Sequence, residues 1–523
     1  MPDHRHGDRL SWGDTVFLYL EREGMPLHIG SASVFEGTIP LQECRDFIAS
    51  KLPLIPRYLH RVEAPPFNIG LPTWKYDTNF DIRNHVHQVT LERGTDSEFK
   101  AVVGKVLSQV MDRRRPLWDF TLVEGLTGNR TGVISRLHHC MADGMAGVSL
   151  MNVVMDANPE VPVRPKKKPR LRVPPPQDSL TSVLNGLISS YSNIVDRILA
   201  AQSDALNIAE RAAASQGDWP AAEFAQLLPE LTAPTEPLRF NVTCRGPQKV
   251  AWVEIPLGEI KAIREACGTS VNDVFLALVT SAIRRYLEHH GDPVRKKRLR
   301  IMVPVNLRGS ETAGELGNRI SLLPVTVPLD VWEPKRLLGA VHERTNLLKR
   351  THVLELVSLA GGLIGAVATP LQALAGPIVS QLPIAPFNLV CTNVPGPQLP
   401  LYLMGHKMLA WFPYVPVGGE MAMNCAILSY NGSVYFGFSG DVHAAPDLWR
   451  MEGLLRQSFA ELRKAAGVRV PRKPKARRPR KKPAKPVAVA SGPVAVDLPK
   501  TTAASAPDLR QASHEEVASR IAV

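Results

Sequence analysis

The sequence predicts an α/β protein of two halves joined by a helical connection, and three observations carry that expectation. Strand-like and helix-like patterns alternate from about residue 28 to 156, and again from about 248 to 465. A run rich in Pro, Lys and Arg, residues 158–178, separates the two stretches and is followed by a long helical pattern. The chain's 523 residues, 44% of them hydrophobic, supply enough apolar surface for two or more domains. The expected boundaries are 1–157 for the first half, 158–236 for the connection, 237–467 for the second half and 468–523 for a basic, Pro- and Ala-rich tail without a packed core.

In chain order, Ser11 or Asp14 can cap a short helix bearing Phe17 and Leu18. LHIGSASVFEG then reads as the first strand, with His28 an inward or edge residue. Residues 41–52 read as a helix, and Pro53, Arg57, His60 and Arg61 introduce an irregular stretch. HVHQVTLE alternates like a strand and places His85 and His87 on one face. No cysteine or carboxylate lies near enough to complete a metal site, so both are expected at the surface. A helix over about 96–111 follows, then MDRRRPLWDF, where Pro116 and Leu117 open a strand with a buried Trp118.

The connection after residue 178 reads as helix packed across the two halves. In the second half, QKVAWVEIPLGEIKAIREACG is strand then helix. SVNDVFLALVTSAIRRYLEHHG is an amphipathic helix with Val271, Val274, Phe275, Leu278 and Tyr286 on one stripe. Ser270 and Asp273 match a capping pair at its start; Asn272 beside them is free to donate a hydrogen bond instead. RLRIMVPVNLRGSETAGELGNRIS reads as a strand with a polar turn. Residues 356–406 hold no Lys, Arg, Asp or Glu, but Pro370, Pro377 and Pro383 interrupt the ~20 apolar residues that a membrane-spanning helix needs. Short apolar helices and the strand FNLVCTNVPGP are expected there. MNCAILSYNGSVYFGFSGD reads as a hairpin on a type I′ Asn431-Gly432 turn, and DLWRMEGLLRQSFAELRKAAG as the last amphipathic helix.

The chemistry concentrates in TGVISRLHHCMADGMAGVSL, residues 131–150. Val133, Ile134 and Leu137 mark a buried strand, and Met145, Val148, Met151 and Val154 recur at helical spacing beyond it. A histidine at such a strand end can be held by the backbone while its imidazole faces a cleft. Neutral imidazole is a base that works near pH 7, able to take the proton from a hydroxyl as that oxygen attacks an activated acyl group. On this reading His139 is the base, with His138 beside it. Asp143 fixes the loop, by capping the next helix or pairing with an arginine, and Gly144 lets the chain turn. Cys140 is a poor nucleophile candidate, because neighbouring strand residues face opposite ways.

The formal charge of +13 is not spread over the fold. Six positive residues lie between Arg164 and Arg172 and ten between Arg469 and Lys485; without them the remainder carries −3. The basicity therefore belongs to the connection and the tail, where anionic lipid head groups are a better match than specific nucleic acid, since the tail lacks interleaved aromatics. Cys44, Cys140, Cys244, Cys267, Cys391 and Cys425 show no CxxC or zinc-type spacing, and the first residues lack a signal-peptide core. A reducing, cytoplasmic setting without structural disulfides or metal is expected.

His138, His139, Asp143 and Gly144 complete an HHxxxDG pattern that resembles the acyltransferase superfamily of chloramphenicol acetyltransferase and peptide-synthetase condensation domains. With LSWGDTVFLYLE, Pro116-Leu117-Trp118, Asn272-Asp273 and NVPGP in the same order, the chain is identified as a member of the bacterial wax ester synthase/acyl-CoA:diacylglycerol acyltransferase family over about residues 10–465. The resemblance implies two chloramphenicol-acetyltransferase-like α/β domains around a central tunnel. It implies acyl transfer from acyl-CoA to diacylglycerol or a long-chain alcohol, with His139 as general base and no cofactor. It also implies a place for Pro116, Leu117 and Trp118 near the substrate channel, and makes Arg308 a candidate partner of Asp143; a solvated turn arginine is the other reading. A peripheral position on the cytoplasmic face of a membrane or lipid inclusion follows from such acceptors. The rival readings are an acyltransferase of the same superfamily with a non-lipid acceptor, and a catalytically silent lipid-droplet protein.

Overall fold

A computed structural model describes residues 9–65, 71–141, 151, 153–160, 235–306, 320–351 and 387–469, all within one compact unit, residues 1–470. Helix α1 (Trp12–Leu20) starts at Ser11, whose hydroxyl accepts from the Asp14 N–H. Strand β1 (His28–Glu36) and helix α2 (Leu41–Lys51) follow, then a two-stranded ribbon of β2 (His60–Glu63) and β3 (Thr73–Tyr76). β4 (Val86–Thr90), α3 (Asp96–Leu107), β5 (Trp118–Leu126) and β6 (Arg130–His138) complete the first half.

The second half opens with β7 (Gln248–Pro256), α4 (Leu257–Cys267) and α5 (Val271–His289). β8 (Arg298–Asn306), β9 (Ile320–Pro328) and α6 (Pro334–Arg350) come next. Then follow β10 (Leu389–Pro395), β11 (Tyr402–Leu403), β12 (His406–Tyr414), β13 (Met423–Tyr430), β14 (Ser433–Asp441) and α7 (Arg450–Ala465). The β13–β14 turn has Asn431 at φ 45° and Gly432 at φ 83°, the left-handed pair that a type I′ turn demands.

Two six-stranded sheets result, ordered β11-β12-β1-β6-β5-β4 and β7-β14-β13-β10-β8-β9. The first departs from the expected division at residue 237, because β11 and β12 belong to the second half in sequence and to the first sheet in space. β1 would otherwise offer an unpaired edge; β12 pairs it from Gly30↔Tyr414 to Phe35↔Met408 and satisfies that edge. The crossing locks the halves together. Phe412 on β12 stacks on Trp252 of β7 with ring centroids 4.5 Å apart. A side chain at Gly437 of β14 would place its Cβ 1.9 Å from the Pro413 carbonyl, so only glycine permits the strands to approach so closely.

α5 is the spine of the second core. Val274, Phe275, Leu278, Ile283 and Tyr286 are buried among β7, β8, β10, β13 and β14 residues. Two expectations need correction. His85 is buried, not solvent-facing, because it precedes β4 and its ring stacks between Phe80 (4.9 Å) and Trp118 (4.5 Å). The helix expected to reach residue 111 ends at Leu107, where the Ser108 hydroxyl caps the Gly104 carbonyl. All six cysteines are unpaired. Among the described residues no single helix is long and apolar enough to cross a membrane. The connection over 161–234, most of the uncharged run over 352–386, and the tail from 470 lie outside the described residues.

Candidate active site

Alternation along β6 decides which way the two histidines face. Val133 and Leu137 join one core with Trp411 and Tyr58, whereas Ile134 joins the core against α3 on the other face. His139 continues the first series and His138 the second. The His139 N–H donates to the Leu27 carbonyl at 3.0 Å, and its ring lies flat on Phe17, with centroids 3.9 Å apart and planes at 6°. The ring is thus fixed from two sides and lines a cavity of about 350 Å³. Burial, reinforced by the neighbouring His138, lowers its pKa to about 4, so it stands unprotonated at neutral pH.

His138 is fully buried and does not line the cavity. Its Nδ1 accepts the Cys140 N–H at 3.1 Å, which leaves Nε2 protonated and 3.4 Å from Glu21 Oε1. His138, expected beside the base, thus stands behind the strand end and does not line the cavity. Glu21 was missed in the sequence, although it sits in the LSWGDTVFLYLE stretch. Its Oε1 accepts the Leu27 N–H at 3.0 Å and its Oε2 lies 3.1 Å from Arg113. Burial pushes the carboxyl up, but His138, the Leu27 N–H and Arg113 outweigh it and hold the pKa at about 2. Glu21 thus grips both the backbone next to His139's acceptor and the ring of His138.

The cavity runs between the sheets. Ile29, Ser31, Ser135, Leu137, Trp411 and Pro413 form its first wall, and Pro304, Thr392–Pro395 and Ala426–Leu428 the second. The NVPGP motif contributes Asn393, Val394 and Pro395 to that second wall. Pro116, Leu117 and Trp118 stand one layer behind rather than in the channel. The Leu117 carbonyl accepts the His138 N–H at 2.9 Å, and Trp118 stacks on the cavity-lining Tyr58 at 4.6 Å while its Nε1 donates to the Tyr58 carbonyl.

Asn272 and Asp273 do not line the cavity. The capping reading holds: Ser270 and Asp273 form a reciprocal box, and Asp273 also accepts from Thr345 Oγ1 (2.7 Å) and pairs with His342 Nδ1 (2.8 Å). Asp143, Gly144 and Arg308 lie outside the described residues. Cys140 is buried, and burial followed by the charges of Asp14 and Glu21 raises its thiol well above the ordinary range, which disfavours the thiolate. Among the described residues no group of three His, Cys, Asp or Glu side chains is placed to hold a metal ion.

Comparison with known proteins gives this arrangement its relatives. Residues 10–275 match the family described as wax ester synthase/diacylglycerol acyltransferase catalytic domain, and residues 316–463 match its C-terminal domain. Two proteins of Mycobacterium tuberculosis described as probable diacylglycerol O-acyltransferases are similar. One, tgs1, is 27% identical over 85% of this chain and 94% of its own length; the other, tgs2, is 28% identical over 88% and 100%. The solved wax ester synthase/diacylglycerol acyltransferase of Marinobacter aquaeolei VT8 superposes with a TM-score of 0.61 at 25% identity, covering 88% of this chain and 100% of that one. The first condensation domain of a calcium-dependent antibiotic synthetase shares the fold, with a TM-score of 0.53 at 14% identity, over 88% of this chain and 96% of that one.

Proposed function

Because the chain belongs to the wax ester synthase/diacylglycerol acyltransferase family and is an acyl-CoA-dependent O-acyltransferase, we propose that His139 is the general base of its reaction. The enzyme transfers a fatty acyl group from acyl-CoA to diacylglycerol, to a long-chain alcohol, or to both. His139 takes the hydroxyl proton as that oxygen attacks the thioester carbonyl; the tetrahedral intermediate collapses, the C–S bond breaks, and coenzyme A leaves with the proton as a thiol. No acyl-enzyme and no further cofactor enter.

The observation that supports this reading is the placement of an unprotonated, stacked imidazole on the wall of a mostly apolar cavity. General-base help contributes ~10²–10⁴ in rate, and the rest comes from positioning and charge stabilisation. Asp143 and Arg308 are proposed to brace the loop after β6, and Gly144 to turn it. The water-insoluble acceptors bring the enzyme to a lipid surface, so we propose a peripheral position on the cytoplasmic face of a membrane or lipid inclusion, which co-flotation with anionic and neutral vesicles tests.

The reaction itself is tested with purified protein, palmitoyl-CoA and either 1,2-dioleoylglycerol or hexadecanol, following thiol release and neutral lipid formed. Wild type forms ester, and folded His139→Ala loses at least ~100-fold. Equal turnover of the two proteins removes His139 from the chemistry.

A further inference from the structure

We propose that the Tyr58 hydroxyl donates a hydrogen bond to the thioester carbonyl oxygen of the bound acyl-CoA, and to the oxyanion that this oxygen becomes when the acceptor attacks. The inference rests on acyl transfer at His139 and names the group that stabilises its intermediate. Tyr58 lies in the turn Pro56–Leu59, lines the cavity and is 3% exposed. β4, β5 and β6 lie side by side, and His85, just before β4, stacks on Trp118 at 4.5 Å. Tyr58 stacks at 4.6 Å on the other face of that indole, which puts its ring over β6, where Leu137 pairs with Trp118. His139 follows on the same face, one pleat repeat or about 7 Å beyond Leu137.

The other side-chain donors on the wall that carries His139 are engaged or closed off. Ser31 and Ser135 bond each other at 2.8 Å, Arg136 holds Asp119 and the Val106 and Gln109 carbonyls, and Tyr414 donates to Gln248. Trp411 Nε1 is sealed inside the wall. The Tyr58 hydroxyl has no hydrogen-bond partner among the described residues and is not sealed in; for so buried a side chain, the open space it meets is the cavity. A buried tyrosine hydroxyl ordinarily finds a partner, so one left open on a cavity wall is a place for an acceptor on the ligand. Burial pushes the phenol up from its ordinary value, which keeps its proton available to donate.

A carbonyl oxygen only accepts, and a phenol in an apolar wall favours the state in which that oxygen carries charge. As the acceptor oxygen bonds to the carbonyl carbon, its proton passes to His139 and the C=O π pair moves onto the carbonyl oxygen. That pair then re-forms the C=O bond, the C–S pair leaves on sulfur, and the sulfur takes the proton from His139. Tyr58 keeps its own proton throughout. The path from the imidazole through the attacking oxygen and the oxyanion to a hydrogen-bonded phenol oxygen spans about 8 Å, which matches the placement of Tyr58 over Leu137.

The test compares wild type with Tyr58→Phe, which keeps the stack on Trp118, for kcat and KM with palmitoyl-CoA and 1,2-dioleoylglycerol. The expected loss is ~10²-fold in kcat with KM for acyl-CoA within about threefold, because the bond strengthens only as charge develops. A second readout needs no turnover. The infrared carbonyl stretch of palmitoyl-CoA, isotope-labelled at the carbonyl carbon and bound to His139→Ala, should lie lower than in His139→Ala/Tyr58→Phe. Replacing Tyr58 by a ring-fluorinated tyrosine, a stronger donor that preserves the packing, should lower it further. Equal turnover of wild type and His139→Ala removes the base and leaves the infrared reading of Tyr58 standing. Tyr58→Phe within about twofold of wild type in kcat, or a carbonyl stretch that the substitution does not move, overturns the proposal. Loss of kcat and a shifted stretch in Thr392→Val, with Tyr58→Phe unaffected, assigns the donor to the second wall and also overturns it.

Discussion

Glu21 with His138 in the first half, and Asp273 with His342 in the second, are both carboxylate–imidazole pairs, and the better-aligned one lies away from the cavity. Asp273 Oδ2 is 2.8 Å from His342 Nδ1, whereas Glu21 Oε1 is 3.4 Å from His138 Nε2. The second pair ties the start of α5 to α6; the first stands behind the strand end that presents His139. A carboxylate holding an imidazole is therefore a fastening device that serves either purpose. What differs is the neighbouring residue, His139, which alternation turns toward a cavity.

Substitution separates the two pairs. Glu21→Ala leaves buried His138 and the Leu27 N–H without their acceptor, and should cost about 3 kcal/mol in denaturant unfolding, with turnover per folded molecule reduced as well. Asp273→Ala loses the capping box and the bonds from Thr345 and His342, which keep the His342 carbonyl and Asn346 as partners, for about 1–2 kcal/mol of stability. Its turnover per folded molecule should match wild type; a matching loss of kcat would place the second pair in the chemistry.

Acid unfolding separates the groups by sign. Glu21 is held at about 2, so its contribution is present above the ordinary carboxyl value of 4.5 and is lost as pH falls from 4.5 through about 2. His28 and His139 are depressed below 6.5, so the unfolded chain takes up protons first and stability declines as pH falls below 6.5. Urea midpoints measured from pH 7 to 3 should fall in both windows for wild type, and Glu21→Gln should flatten the lower one most, the upper one changing only through the lost Glu21 charge near His28. The smallest effect belongs to Cys140→Ala, which should keep turnover within about twofold while costing about 1 kcal/mol for the lost burial; abolished turnover would restore the thiol to the mechanism.

Much of this was legible in the chain because it is local. The strand before HHCMADG, the Ser270–Asp273 box and the Asn431-Gly432 turn each follow from a few consecutive residues. The HHxxxDG motif drew attention to His139, which lines the cavity. What escaped depends on partners distant in sequence. Glu21 meets His138 only once β1 and β6 pair, and β12 joins β1 because an edge needs covering, which no local pattern announces. His85 looked like one half of an exposed strand pair, yet Phe80 and Trp118 close on it. The motif Pro116-Leu117-Trp118 was readable as important but not as a buttress, since its task is to hold His138 and Tyr58 from behind.

On the proposed mechanism, two adjacent histidines do different work because they face opposite sides of one sheet. The direct measurement compares His138→Ala and His139→Ala for turnover with palmitoyl-CoA and dioleoylglycerol, each normalised to its folded fraction, alongside thermal unfolding. His139→Ala should melt near wild type and lose at least ~100-fold in kcat, while His138→Ala should melt lower and keep the larger share of its activity. The reverse pattern, with His138→Ala stable and inactive and His139→Ala active, would contradict it.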